Sequence, residues 1–263
     1  MSGIAAVASP DAQNLYLGRG AFYFDRFLAG TITPTGERHV GNVSKIELVT
    51  TDDVKEAYQN MTSSAGLYAT VNARRKVELK VTGDEYSLEN IALILMGDTG
   101  KLAQTGSSVT DETVTASAKQ GRYYATDYRK ISAVTVKGGV SGATAKVLNT
   151  DYTVDAVSGR IYVVPGGGIA DGDIIKVSYT YATISLDVVK AGTQSKIAGY
   201  VRFVGDPAAG PTYELECWNA QFNPDGPLAL IQDDYGNWSL SARLVADLTN
   251  HSDAPWFRMI NVV

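Results

Sequence analysis

The sequence predicts a mainly β protein, an antiparallel β-sandwich or barrel with one flanking α-helix and a small inserted β module. Three observations carry this. Apolar and polar residues alternate with a period of two in four separate stretches, and turn residues punctuate the chain, with 26 glycines in all. Only one stretch has helical spacing and helical stop signals. The 263 residues, 44% hydrophobic and 19% charged, suffice to bury one large β core or two modest ones.

Residues 1–13 are small and polar and lack the basic start and apolar core of a signal peptide, so no export is expected. The first alternation comes at 45–48, where Ile46 and Leu48 oppose Lys45 and Glu47. The clearest strand covers 74–82, with Val77, Leu79 and Val81 on one face and Lys76, Glu78 and Lys80 on the other. A helix follows at 88–96. Ser87 suits its N-cap, Glu89 suits the positive end of its dipole, and Gly97 stands where a C′ glycine would. Leu88, Ile91, Ala92 and Leu95 fall at helical spacing and place that helix flat on a sheet.

The low-charge, Ser/Thr-rich run 104–117 reads either as a strand with loops or as a linker. From 121 to 183 the chain becomes a series of hairpins, with turn signals at Gly138-Gly139, Ser158-Gly159 and Asp171-Gly172. Strands are expected at 131–136, 160–164 and 173–181. Alternation resumes at 196–203, where Ile197, Val201 and Phe203 oppose Tyr200 and Arg202. It recurs at 213–217, where Tyr213, Leu215 and Cys217 oppose Glu214 and Glu216. The chain is therefore expected to form one discontinuous domain, 1–120 with 186–263, interrupted by a module at 121–185. The apolar stretch 249–263, with Trp256, Phe257 and Met259, either docks on a neighbour or closes its own sheet.

Little in the chain points to chemistry. With 23 basic and 28 acidic residues the net charge is −5, which gives no overall attraction to nucleic acid. Cys217 is the only cysteine, so no intrachain disulfide can form, and its apolar neighbours suit a buried, inert thiol. His39 and His251 bracket no acidic cluster, so no zinc site is expected. Pro165-Gly166-Gly167-Gly168 lacks the Lys-Ser/Thr and the helix of a phosphate loop and reads as a hairpin connection. Asp225, Asp233 and Asp234 do not have the spacing of a calcium loop. Glu214 and Glu216 share one strand face, unlike the opposed carboxylates of a glycosidase. No catalytic constellation emerges, and the chain is read as a non-enzyme without metal or cofactor. Its longest apolar run, 91–96, is too short to cross a membrane, and a soluble protein is expected.

Several segments, taken together, resemble bacteriophage major tail tube proteins. They are Asn14-Leu15-Tyr16-Leu17-Gly18-Arg19-Gly20 leading to Phe22 and Tyr23, then Glu37-Arg38-His39-Val40-Gly41-Asn42-Val43, then Ser63-Ser64-Ala65-Gly66-Leu67. The single helix at 88–96 follows in order. Asn223-Pro224-Asp225-Gly226-Pro227-Leu228-Ala229-Leu230-Ile231 and Tyr235-Gly236-Asn237-Trp238 through Asp247 are similar to the family's C-terminal half. Asp151-Tyr152-Thr153-Val154-Asp155 and Ser158-Gly159-Arg160-Ile161 in the insertion resemble modules of such phage proteins. The likeness spans 14–247, and its weight lies in the order of the motifs.

The resemblance implies a tail-tube fold that closes in sixes into rings stacked as a tube, the conduit for DNA ejection into the bacterial host. It implies lumen-lining residues Lys45, Glu47, Glu78, Lys80, Arg202, Glu214 and Glu216. Ile46, Leu48, Val77, Leu79, Val81, Val201, Phe203, Leu215 and Cys217 would face the subunit core. It also implies a ring-stacking loop of Gln59, Met61, Thr62, Ser63, Ser64, Gly66 and Leu67. Six copies at −5 each give a ring of about −30, which suits a wall that does not hold DNA. The mixed lumen set requires either that its cations be neutralised across strands or that its face assignment be wrong. The implied partners are copies of the chain itself, a tape measure protein, and terminator or baseplate proteins, with DNA only in transit and no membrane. The implied location is the virion tail, assembled in the host bacterial cytoplasm, with the insertion on the outer surface. The alternative is a monomeric two-domain β protein that binds carbohydrate or a cell surface through Trp218, Trp238 and Trp256.

Overall fold

The computed structural model describes residues 14–61 and 63–262, and the expectation for 1–13 lies outside them. The described chain is mainly β, with antiparallel sheets and one helix, α1. It divides into two compact units. The first is formed by the chain up to Thr99 and again from Val189, and the second is Gly100–Val188.

The first unit opens with β1 (Gly20–Arg26) and the short β2 (Arg38–His39), then the long pair β3 (Val43–Tyr58) and β4 (Leu67–Gly83). After the second unit it continues with β14 (Ile197–Gly205), β15 (Thr212–Pro224), β16 (Trp238–Leu244) and β17 (Phe257–Val262). One eight-stranded sheet runs β2-β1-β14-β15-β16-β4-β3, with β17 added beside β15. The bend in this sheet is made within β15. Gly199 pairs with Ala220 and Val201 with Cys217, so Trp218 and Asn219 together oppose Tyr200. The extra residue moves the buried set from Leu215 and Cys217 to Ala220 and Phe222, and it bends the strand. The first half of β15 pairs with β17, the second half with β16.

The sheet thereby folds over into two layers around one core. Phe22, Phe24, Val201, Leu215 and Cys217 from one layer meet Val77, Leu79, Val81, Leu240 and Ala242 from the other. Phe24 meets Phe222 edge-on with ring centres 4.9 Å apart. The alternation read at 45–48, 74–82, 196–203 and 213–217 has its apolar faces here, with Ile46, Leu48 and Phe203 packed at the margin. The 249–263 segment closes its own sheet, since Phe257–Val262 pairs antiparallel with 212–217.

α1 (Leu88–Ile94) is capped as its sequence predicts, with the Ser87 hydroxyl accepting from the Asn90 N–H at 3.2 Å. Its far end and its buried face differ from expectation. The helix stops at Ile94, and Met96, not Gly97, takes the left-handed conformation at φ 49°. The Met96 N–H donates to Leu93 O and the Gly97 N–H to Ala92 O, the double bond of a Schellman end. Leu88 is exposed, and the buried residues are Asn90, Ala92, Leu93 and Ile94. Asn90 faces inward because its amide donates to Val40 O and Glu85 O, tying the helix to the loops that precede it.

β5 (Asp98–Gln104) follows the helix and pairs with β13 (Ile184–Lys190). Between them the second unit contains β6 (Ser107–Thr115), β7 (Tyr123–Ala125), β8 (Ile131–Gly138), β9 (Thr144–Ala145), β10 (Tyr152–Asp155), β11 (Arg160–Val163) and β12 (Ile175–Tyr181). One sheet runs β6-β12-β8-β9 and the other β10-β11-β7. Ile131, Val136, Ile161, Val163, Ile175 and Val177 form a core of their own between them. The run 104–117, open between strand and linker, contains β6. β6 pairs along β12, so this compact unit starts before the 121 at which patterning placed the module.

Candidate interaction surfaces

The seven residues assigned to one lumen surface divide between the outer faces of the two layers. Arg202, Glu214 and Glu216 lie on the outer face of β14 and β15, where the structure brings them together. Arg202 donates to Glu37 at 2.6 and 2.9 Å and reaches Glu214 at 3.4 Å. Its guanidinium also lies 4.6 Å from the centre of the Tyr23 ring. The Glu37 carboxylate beside it holds Arg202 above the ordinary arginine range. Glu216 accepts from Arg258 at 2.6 Å and from the Tyr200 hydroxyl at 3.1 Å. Burial, with Glu216 second, raises the Tyr200 phenol. Glu37 and Arg258 escaped sequence reasoning because one sits in a loop and the other in a strand whose alternation was not recognised.

Lys45, Glu47, Glu78 and Lys80 lie on the outer face of β3 and β4, away from that cluster. The apolar sides of both groups converge on a groove of about 400 Å³ lined by Ile46 and Leu48 on one wall and by Phe203, Leu215 and Met259 on the other. Their polar sides therefore point apart, and the single-surface assignment is corrected to two. Within the second group charges are paired locally. Lys45 sits 2.9 Å from Glu47, Glu47 is in register with Lys80, and Glu78 is 3.7 Å from Arg243. Arg243, with Ser239 and Ser241, continues this polar face on β16.

β3 and β4 extend well past the rest of the sheet. β16 pairs with β4 only from Glu78 to Gly83, so residues 49–77 form a two-stranded arm with no further strand beside it among the described residues. At its tip the Gln59 N–H donates to Gly66 O. Tyr58, Gln59, Asn60, Met61, Gly66, Leu67 and Tyr68 line a concavity of about 470 Å³ there. Met61 is 91% exposed. The loop residues assigned to ring stacking are together at this tip, except Thr62, which lies outside the described residues.

Other candidate features are used within the chain. Trp218 is stacked by His251 at 3.6 Å, faced by Arg258 at 5.4 Å, and donates its indole N–H to Ala254 O. Trp238 is buried, and Trp256 packs against the core. Cys217 is fully buried, and burial pushes its thiol up to about 12. The Gly168 N–H in the glycine run donates to Asp151 at 2.6 Å, so an internal carboxylate already occupies the position a phosphate would need. Among the described residues no group of three His, Cys, Asp or Glu could hold a metal, and no helix is long and apolar enough to cross a membrane.

A family model matches residues 15–258, nearly the whole described chain. The chain belongs to that family. Its description is "Protein of unknown function UCP028589", and the match runs through both compact units. No curated protein matches the chain.

Proposed function

We propose that this chain is a structural subunit that assembles with copies of itself into stacked rings, as the tail tube of a long-tailed phage does. The observation that carries this reading is the arm. An unaccompanied ribbon of residues 49–77 exposes Val49, Val54, Tyr58, Leu67, Tyr68 and Val71, and a lone two-stranded ribbon is marginal in water. Among the described residues, the whole outer edge of β3 and the outer edge of β17 are also unpaired in the sheet. Long open edges invite strands from other copies, and ring closure satisfies them.

On this reading the channel is lined by the outer face of β3, β4 and β16, with Lys45, Glu47, Glu78 and Lys80 on it. Arg202, Glu214 and Glu216 belong to the opposite layer. The pairing of Lys45 with Glu47 and of Arg243 with Glu78 on the lining face supports a wall that passes DNA without gripping it. Tape measure, terminator or baseplate partners, and a place in the virion tail, follow from the same proposal. Electron microscopy and sedimentation of the purified chain over a wide concentration series test it. Rings or tubes that accumulate with concentration are the expected result, and a solitary chain at every concentration would refute it.

A further inference from the structure

Two surfaces of the first unit complement each other. On the arm, the pairing register places Lys76, Arg74 and Val71 on the face that continues from Glu78 and Lys80. Arg74 and Lys76 are exposed and form no ion pair among the described residues. The nearby acids are already taken, Asp52 by Arg75 at 2.8 Å and Asp53 by Lys55 at 3.3 Å. The arm therefore presents surplus positive charge beside exposed Val71 and Tyr68.

The second surface is the loop 225–237 between β15 and β16. Leu230, Ile231 and Tyr235 are 83, 96 and 100% exposed, and Asp225, Asp233 and Asp234 form no ion pair among the described residues. The loop is anchored at both ends, by Leu228 on the core and by the Tyr86 hydroxyl donating to Asn237 O at 3.0 Å. Arm and loop sit at opposite ends of one ladder. β16 leaves the loop at Trp238 opposite Gly83, whereas the arm starts beyond Glu78, roughly 17 Å further along the strand.

We infer that loop 225–237 of one copy docks on the arm of the next, with Asp233 and Asp234 against Arg74 and Lys76 and Ile231 against Val71. Val71 to Lys76 covers about 16 Å of strand, and the bent segment from Ile231 to Asp234 at most about 10 Å, a difference within the reach of the long Arg74 and Lys76 side chains. Because the two patches differ and lie at opposite ends, the contact is heterologous and can repeat head to tail along a stack of copies. This inference rests on the tube-subunit reading and names the contact that stacks the copies. It also removes a difficulty of that reading, since docking neutralises two cations on the face that would line the channel.

Charge reversal tests the contact in the full chain. The Arg74→Glu/Lys76→Glu variant has an acidic arm and an acidic loop, and the Asp233→Lys/Asp234→Lys variant has a basic arm and a basic loop. Each alone is expected to raise the concentration needed for tubes at least tenfold, with an unchanged circular dichroism spectrum. An equimolar mixture is expected to restore assembly, because each variant's arm then meets the other's loop. As a measurement independent of any variant, raising salt is expected to weaken wild-type assembly. Wild-type tubes with either variant assembling normally, or a mixture of folded variants that stays dispersed, would overturn the docking while leaving the tube reading in place. A wild-type chain that never assembles would overturn both.

Discussion

At the end of α1, Met96 and not the glycine beside it holds the left-handed conformation. Replacing Met96 by Gly would relieve about 1 kcal/mol of strain but forfeit about 1–2 kcal/mol of partial burial against the core, a net loss of no more than about 1 kcal/mol. Gly97 is needed for a different reason, since a Cβ there would meet Lys190 O at 2.2 Å. Gly97→Ala is therefore expected to cost more than about 1 kcal/mol and to be the worse of the two changes. Urea midpoints would check that order, and the reverse order would refute it. In the second unit, Asp151 is buried and accepts from the Val147 and Gly168 N–H groups, which hold its carboxyl below the usual range. A depressed folded pKa contributes stability above the unfolded value near 4 that is lost as pH falls through the folded value. Asp151→Asn should thus lower the urea midpoint at pH 7 and shrink its drop between pH 7 and pH 3. An undiminished drop would count against Asp151 as a contributor.

The arm is the element on which the function turns. None of the described residues among 60–66 enters the core, so replacing this loop by a two-residue turn should leave the melting temperature within a few degrees of wild type. Polymerisation should be lost, and tubes of normal yield would show that the tip is dispensable. This element was only half legible in the sequence. Val77, Leu79 and Val81 announce β4 because its inner half is covered on one face, but from 49 to 76 no described residue is buried, so the period-two signal fades where the strands continue. β15 was read only to Cys217 for a related reason. The bulge at Trp218 and Asn219 inverts the alternation, and Ala220 and Phe222 then fall out of phase. The resemblance grouped Arg202, Glu214 and Glu216 with Lys45, Glu47, Glu78 and Lys80, and alternation could not separate them, since it shows which side chains are wet but not which layer carries them. The cap at Ser87 was legible because it depends on three adjacent residues. The buried face of α1 was not, because Asn90 is drawn inward by the Val40 carbonyl, far away in the chain, as well as by that of Glu85.

For the whole molecule, the decisive fact is that the two cores share no residue. Every member of the first, from Phe22 to Leu244, lies outside 100–188, and every member of the second, from Ala118 to Tyr179, lies inside it. Burial of apolar surface is the main favourable term in folding, so each unit carries its own driving force. The strands that lead out of and back into the first unit, β5 and β13, pair with each other and hold the severed ends about 5 Å apart, a gap that a short Gly-Ser linker spans. A chain with 100–188 replaced by such a linker is therefore expected to fold, to melt cooperatively, and to assemble as the full chain does. Gly100–Val188 expressed alone should also melt cooperatively, with a β-type circular dichroism spectrum. An unfolded first unit after the excision would show that it draws stability from the second. A folded but non-assembling one would move the second unit from the outside of the proposed tube into its contacts.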